Sequence, residues 1–275
     1  MGLKDLPGEL VKGMQMRPTK KEALARLLVL KHVVVYAMSA PDRPDAKGLF
    51  GRWFSKEVRE YDKMCRTIGD AVLTMMKEDG LMRYSTPIEQ EFLEGFGSGM
   101  REYSRVAAGW RAEGMAMLRW ALGDFTEWPS LEKVFGPEIV GDLPSGREAL
   151  DTGPDLRSEE EINKKRDLIE LWHWRVTTRR CIEEGYSFNF PEEMKQKGFG
   201  SFDDVVRFIA KEALKTGQLP EIRDEDFVYL GKPFRDLPED EYNQAASIIM
   251  ERHYALNWLC GYAPGNRWDE TPTDT

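Results

Sequence analysis

The sequence predicts a mainly α-helical protein, a single compact multi-helix domain with at most a minor two-stranded β element. Three observations carry that expectation. Helix-start signals recur: Thr19-Lys20-Lys21-Glu22, Thr86-Pro87-Ile88-Glu89 and Ser158-Glu159-Glu160-Glu161 each set a hydroxyl residue three positions before a glutamate, the reciprocal capping box. Behind these signals apolar residues return at steps of three and four, the period of a helix with one buried face. No Gly/Ser/Pro linker divides the interior, and 275 residues can bury about 75% of their surface, so residues 18–275 read as one helical domain behind an N-terminal arm, 1–17.

The arm carries Pro7-Gly8 and Gly13. Thr19 then caps a first helix whose Leu24, Leu27, Leu28, Val34 and Val35 cover much of the circumference, so a buried helix is expected, ending near Ser39 before Pro41. Asp42 to Ala46 is a polar loop, and Ser55 caps a second helix with the cleanest amphipathic stripe in the chain: Val58, Tyr61, Cys65, Ile68, Val72 and Met75. Gly80 stops it. The third start, at Thr86, has Pro87 in the first turn, and Gly95, Gly97 and Gly99 weaken the helix it opens. A helix from Ser104 to Leu122 ends at Gly123, and Asp124 to Pro154 reads as loop with at most one short turn. The Ser158 helix runs to Glu184 with little polar circumference in its middle and is expected to be central. Tyr186 to Phe190 alternates with period two and Phe227 to Leu230 is rich in strand formers, so the two are expected to pair as a ribbon around a helix from Phe202 to Thr216. A last helix starts near Pro238.

A formal charge of -9 with a pI near 5.1 argues against a nucleic-acid partner, because duplex binding needs a basic surface. The longest apolar run, Leu27 to Met38, is broken by Lys31 and His32 and falls short of the ~20 residues of a membrane span. Three cysteines without a Cys-x-x-Cys pair suit reduced thiols, and with no secretory leader pattern the expected location is cytoplasmic.

The densest polar and aromatic chemistry lies on the last helix and its tail. Tyr242, Ala245, Ile249, Leu256 and Cys260 share one face with His253 among them; Arg252 sits at its edge, while Glu251 and Trp258 project from the other side. A histidine and an arginine on an apolar face need partners. The nearest acids are Asp269 and Asp274 with the Thr275 carboxylate, so the tail is expected to fold back and supply them. Glu170 and His173 have the Glu-x-x-His spacing of a di-iron bundle without the second such pair it requires; a mononuclear site of His173, His253 and one carboxylate is the alternative to hydrogen-bonded core histidines, and the expectation is neither a metal nor a cofactor. Gly95-Phe96-Gly97-Ser98-Gly99 comes after a helical pattern and leads to no Lys-Ser or Lys-Thr, unlike a P-loop.

The runs Glu251-Arg252-His253, Ala255-Leu256-Asn257-Trp258-Leu259, Trp268-Asp269 and Asp274-Thr275 stand with Trp110-Arg111, Glu113, Leu118, Trp120-Ala121-Leu122-Gly123, Arg157-Ser158, Asp167-Leu168 and Leu171-Trp172-His173-Trp174. In these the chain resembles, over roughly residues 18–275, the bacterial family catalogued as domain of unknown function 4272. The resemblance implies no activity. The residues it singles out, Arg252, His253, Asn257, Trp258, Trp268, Asp269, His173, Trp172, Glu113, Trp110 and Arg157, form either a structural polar cluster or the wall of an aromatic pocket, with Arg157, Arg175 and Arg252 reaching in to hold an acid. With no complete catalytic motif, the expected function is a non-catalytic binding or interaction protein, its partner a protein or a small acidic ligand. The alternative is a small-molecule hydrolase with His253 as base and Glu113 or Asp269 orienting it.

Overall fold

The computed structural model describes residues 16–39, 56–94, 102–144, 148–186 and 189–273. The expectations for the arm up to residue 15, the Asp42–Ala46 loop, the Ser55 cap, the glycine-rich run and the final Asp274-Thr275 lie outside them. Nine α-helices occur among the described residues: α1 Lys20–Ser39, α2 Lys56–Glu78, α3 Pro87–Leu93, α4 Glu102–Ala121, α5 Ala149–Thr152, α6 Glu159–Glu183, α7 Glu192–Gln196, α8 Phe202–Lys215 and α9 Glu239–Leu259. The chain is a mainly α single domain.

The capping boxes form as their spacing predicts. Thr19 and Glu22, Thr86 and Glu89, and Ser158 and Glu161 exchange side-chain and backbone hydrogen bonds, and Ser201 with Asp204 adds a fourth. Gly80, Gly123 and Gly185 end their helices at positive φ. The long helices pack in the order α2, α1, α4, α9, α6, so every buried face finds another helix. The centre is therefore α4 and α9, each buried over most of its circumference in its second half, rather than α6, whose first turns stay in solvent. The apolar middle of α6 had suggested otherwise; its aromatic residues pack instead on the small sheet and α9.

Along α2, Val58, Tyr61, Cys65 and Val72 are buried as expected, but Met75 is 44% exposed and Met76 is buried. A strict three-four alternation drifts relative to 3.6 residues per turn, and over five turns the buried stripe moves on by one residue. Midway, Gly69 lets α2 touch the end of α3. A Cβ there would lie 2.2 Å from the Leu93 carbonyl oxygen. Gly69→Ala is expected to destabilise by about 3 kcal/mol, because backbone must move, and the helix-propensity gain of about 1 kcal/mol cannot offset that. Urea unfolding of the variant checks this; an unchanged midpoint would refute the contact.

The β element differs from expectation. It is three-stranded and antiparallel: β1 Ile222–Arg223, β2 Asp226–Tyr229 and β3 Lys232–Pro233, in that order. Ile222 faces Phe227 and Val228 faces Pro233. Phe227 and its neighbours thus pair with adjacent sequence, not with the segment beginning at Tyr186, whose described residues form no strand. The reason is turn chemistry: the two-residue loops Asp224-Glu225 and Leu230-Gly231 hold positive φ at both positions, the geometry that joins tight hairpins. The stretch expected as loop, 124 to 154, holds a 3-10 turn at Pro137–Val140 and the short α5.

Candidate functional site

The site builds outward from α4 and α9, whose buried halves face each other. Gly114 and Ala255 meet at the crossing and bring the backbones close. That closeness sets Glu113 of α4 against Arg252 of α9, both 0% exposed. The Arg252 Nε donates to Glu113 Oε2 at 2.9 Å, Nη1 donates to the carbonyls of Pro129 and Ser130 at 3.0 and 2.9 Å, and Nη2 donates to that of Lys133 at 2.9 Å. Glu113 accepts a further bond from the Phe135 N–H at 2.7 Å. Burial pushes the Glu113 carboxyl up and the Arg252 guanidinium down, each opposed by the attraction of the other. The pair binds residues 129–135, which have no regular structure of their own, to two helices. Among the described residues neither Asp269 nor the rest of the tail partners Arg252, contrary to expectation; the acid comes from 139 residues earlier.

One residue on, His253 is also 0% exposed. Its ring stacks on that of His173 of α6, with centroids 4.7 Å apart and planes at 27°. Nε2 lies 3.1 Å from Asn257 Nδ2, so it accepts from the amide, which makes Nδ1 the protonated nitrogen; among the described residues Nδ1 has no partner. Burial first, then the facing His173 and Arg166, press the His253 pKa down to about 3. The imidazole is therefore neutral at pH 7. Asn257 also donates to the Pro272 carbonyl at 2.8 Å and accepts from Arg166 Nε at 2.9 Å. The tail does return across α9: Trp258 Nε1 donates to the Asn266 carbonyl at 3.1 Å and the Tyr254 hydroxyl to that of Trp268 at 2.5 Å. For this reason Trp258, expected on the far side of the helix, is 3% exposed, packed edge-on against Trp268. Asp269 turns the other way and accepts from Thr86, with burial raising its pKa.

The remaining candidates are scattered rather than gathered in one pocket. Arg157 caps α4, donating to the carbonyls of Trp120 and Phe125 at 2.9 and 2.8 Å while it stacks on Trp120. Trp172 fills the space among Phe227, Tyr229 and Phe234, and Trp110 is half-buried on α4. Arg175, expected beside Arg252, forms a two-pronged pair with Asp226 at 2.7 and 2.7 Å. Burial alone would raise the Asp226 pKa, but Arg175 and the N–H groups of Phe227 and Arg235 hold it below the ordinary value. Glu170 is bound by Arg166, and Cys260 donates to Asn163 Oδ1 with burial raising its thiol to about 11. Among the described residues no group of three His, Cys, Asp or Glu could hold a metal.

Two of these partners escaped the sequence reading. Asp226 looks like any acid before a strand, and Arg179, which donates to the carbonyls of Phe234 and Leu237, like any surface arginine of an acid-rich helix. The usable signal was the number of arginines on faces that had to be buried.

A family model described as domain of unknown function (DUF4272) matches residues 11–186. The chain belongs to that family. The matched span contains Glu113, Arg157 and the Trp172-His173 pair, and ends before α9 and the tail, which contribute their partners. No curated protein and no solved structure matches the chain. Among the described residues no helix is long and apolar enough to cross a membrane.

The neutral, buried His253 has a measurable consequence. Its folded pKa lies below the unfolded value of about 6.5, so as pH falls the unfolded chain takes up the proton first and stability is lost. Compared with His253→Gln, which does not titrate, the native chain is expected to lose about 1.4 kcal/mol per pH unit between roughly pH 6 and 4. Paired denaturation curves at pH 7, 6 and 5 test it; a constant difference would show that the ring is charged or solvated.

Proposed function

We propose that this protein is a non-catalytic binding or interaction protein whose C-terminal polar cluster is a fastener. One observation carries the reading: Arg252, Glu113 and His253 are each 0% exposed, and the donors of Arg252 are spent on the chain's own acceptors. A ligand would have to replace four such bonds. The partner is then a protein or a small acidic ligand met at the surface. The charge of -9 speaks against nucleic acid, and the unpaired Cys65, Cys181 and Cys260 suit a cytoplasmic setting.

The alternative is a hydrolase with His253 as base. The unpartnered Nδ1 beside a second imidazole favours it, but Glu113 and Asp269, the acids expected to orient the ring, are bound to Arg252 and Thr86. The test is His253→Asn. On the binding reading the melting temperature falls, and turnover of a panel of ester, amide and phosphate-ester substrates stays at the buffer rate in both proteins. A turnover present in the native chain and lost in a variant that melts as the native does would establish the enzyme.

A further inference from the structure

The buried and half-buried arginines are spent on internal acceptors: Arg26 on Glu89, Arg157 on Trp120 and Phe125, Arg175 on Asp226, Arg179 on Phe234 and Leu237, Arg252 on Glu113 and its loop. Arg83 is exposed, as are Arg59 and Arg180. It sits in the 3-10 turn Met82–Tyr84, and its guanidinium lies over the Tyr84 ring, 4.8 Å from the centroid, with no hydrogen bond or ion pair among the described residues. It lines a cleft of about 290 Å³ together with Lys21, Asp79, Gly80, Leu150 and Asp151.

The charges of that wall are balanced but not all paired. Lys21 and Asp151 neutralise each other at 2.5 Å. Arg83 and Asp79 are left, one cation and one anion, neither engaged within ion-pair distance by any of the described residues, though Arg83 adds to the pull of Lys21 on the Asp151 carboxylate. A ligand of single sign would satisfy one and be repelled by the other. A ligand carrying both signs satisfies both. Asp79 stands just beyond the last turn of α2, where the helix dipole adds partial negative charge and favours an ammonium group. The planar fork of Arg83, held over the ring of Tyr84, suits a carboxylate taken through two parallel hydrogen bonds. Leu150, 4% exposed, gives the cleft an apolar wall for a side chain. The volume lies at the lower end of small-molecule sites, which limits the ligand to roughly amino-acid size.

We propose that this cleft binds a small zwitterion of the free α-amino acid class, its carboxylate on Arg83 and its ammonium on Asp79. The cleft shares no residue with the cluster of α4 and α9, so the proposal does not depend on what that cluster does. Calorimetric titration of the full chain with the individual free L-amino acids tests it, with acetate and methylammonium as controls that carry half of the ligand each. Saturable binding of at least one amino acid is expected, with both controls at least about tenfold weaker. Arg83→Ala and Asp79→Asn should each weaken it by about tenfold or more, and Arg83→Lys, which keeps the charge without the fork, by less. Melting temperatures of the variants report that each is folded. No saturable binding up to about 10 mM, a Kd at which binding free energy falls below ~3 kcal/mol, overturns the proposal. So does binding indifferent to both substitutions, or acetate binding as tightly as the amino acids.

Discussion

A chain cut after Tyr186, where the family match ends, is expected not to fold. The cut removes α9, which lies between α4 and α6, and with it Ile248, Ile249, Leu256, Trp258 and Leu259, each at most 3% exposed. At about 1.5–3 kcal/mol for each large apolar side chain, their burial alone matches a typical domain stability of about 5–15 kcal/mol. The cut also leaves Glu113 buried opposite nothing. Circular dichroism and limited proteolysis of residues 1–186 should report a collapsed or unfolded chain without a cooperative melting transition. A sharp transition would mean that the first 186 residues are a domain of their own and α9 an addition to it.

Arg252→Ala should be the most damaging single substitution in the cluster. It strands the Glu113 carboxylate in a site with no solvent, a cost of about 3–5 kcal/mol, and it leaves the carbonyls of Pro129, Ser130 and Lys133 without their donors at about 1 kcal/mol each. The sum is comparable with the whole stability of a domain. Glu113→Gln should cost less, since a neutral amide leaves no buried anion and its one oxygen can still accept from either Arg252 or Phe135, though not from both. The double variant Glu113→Gln, Arg252→Ala should be less destabilised than the two single losses added together, because the second change removes a charge that the first left unpaired. Chemical denaturation of the four proteins closes this cycle. Additive losses would show that the two side chains are not coupled, contrary to their 2.9 Å contact.

The tie to residues 129–135 also gives these substitutions a local signature. Backbone amide exchange in that loop should quicken in Arg252→Lys more than in α1, because an ammonium cannot replace a fork that reaches one carboxylate and three carbonyls. The same device recurs where other irregular connections meet a helix. Arg157 holds the turn after α4, and Arg179 holds the segment between β3 and α9. Irregular backbone brings carbonyls that no ladder satisfies, and a buried guanidinium with five donors satisfies several at once.

The features legible from residue order are local ones. Thr19, Thr86 and Ser158 start helices because a hydroxyl and a glutamate three residues apart complete each other's bonds whatever surrounds them. Gly80, Gly123 and Gly185 end helices because positive φ costs glycine nothing. Residue order also required His253 and Arg252 to find partners, since their helix face had to be buried. The identity of those partners came from the way the helices pack. Glu113 rather than Asp269 meets Arg252 because Gly114 and Ala255 allow α4 and α9 to approach, a matter of helix order that spacing within one helix does not contain. His173 meets His253 for the same reason, across the α6 and α9 contact. The strand at Phe227 turned to its nearest neighbours because two-residue turns cost less chain entropy than closing a loop of about forty residues.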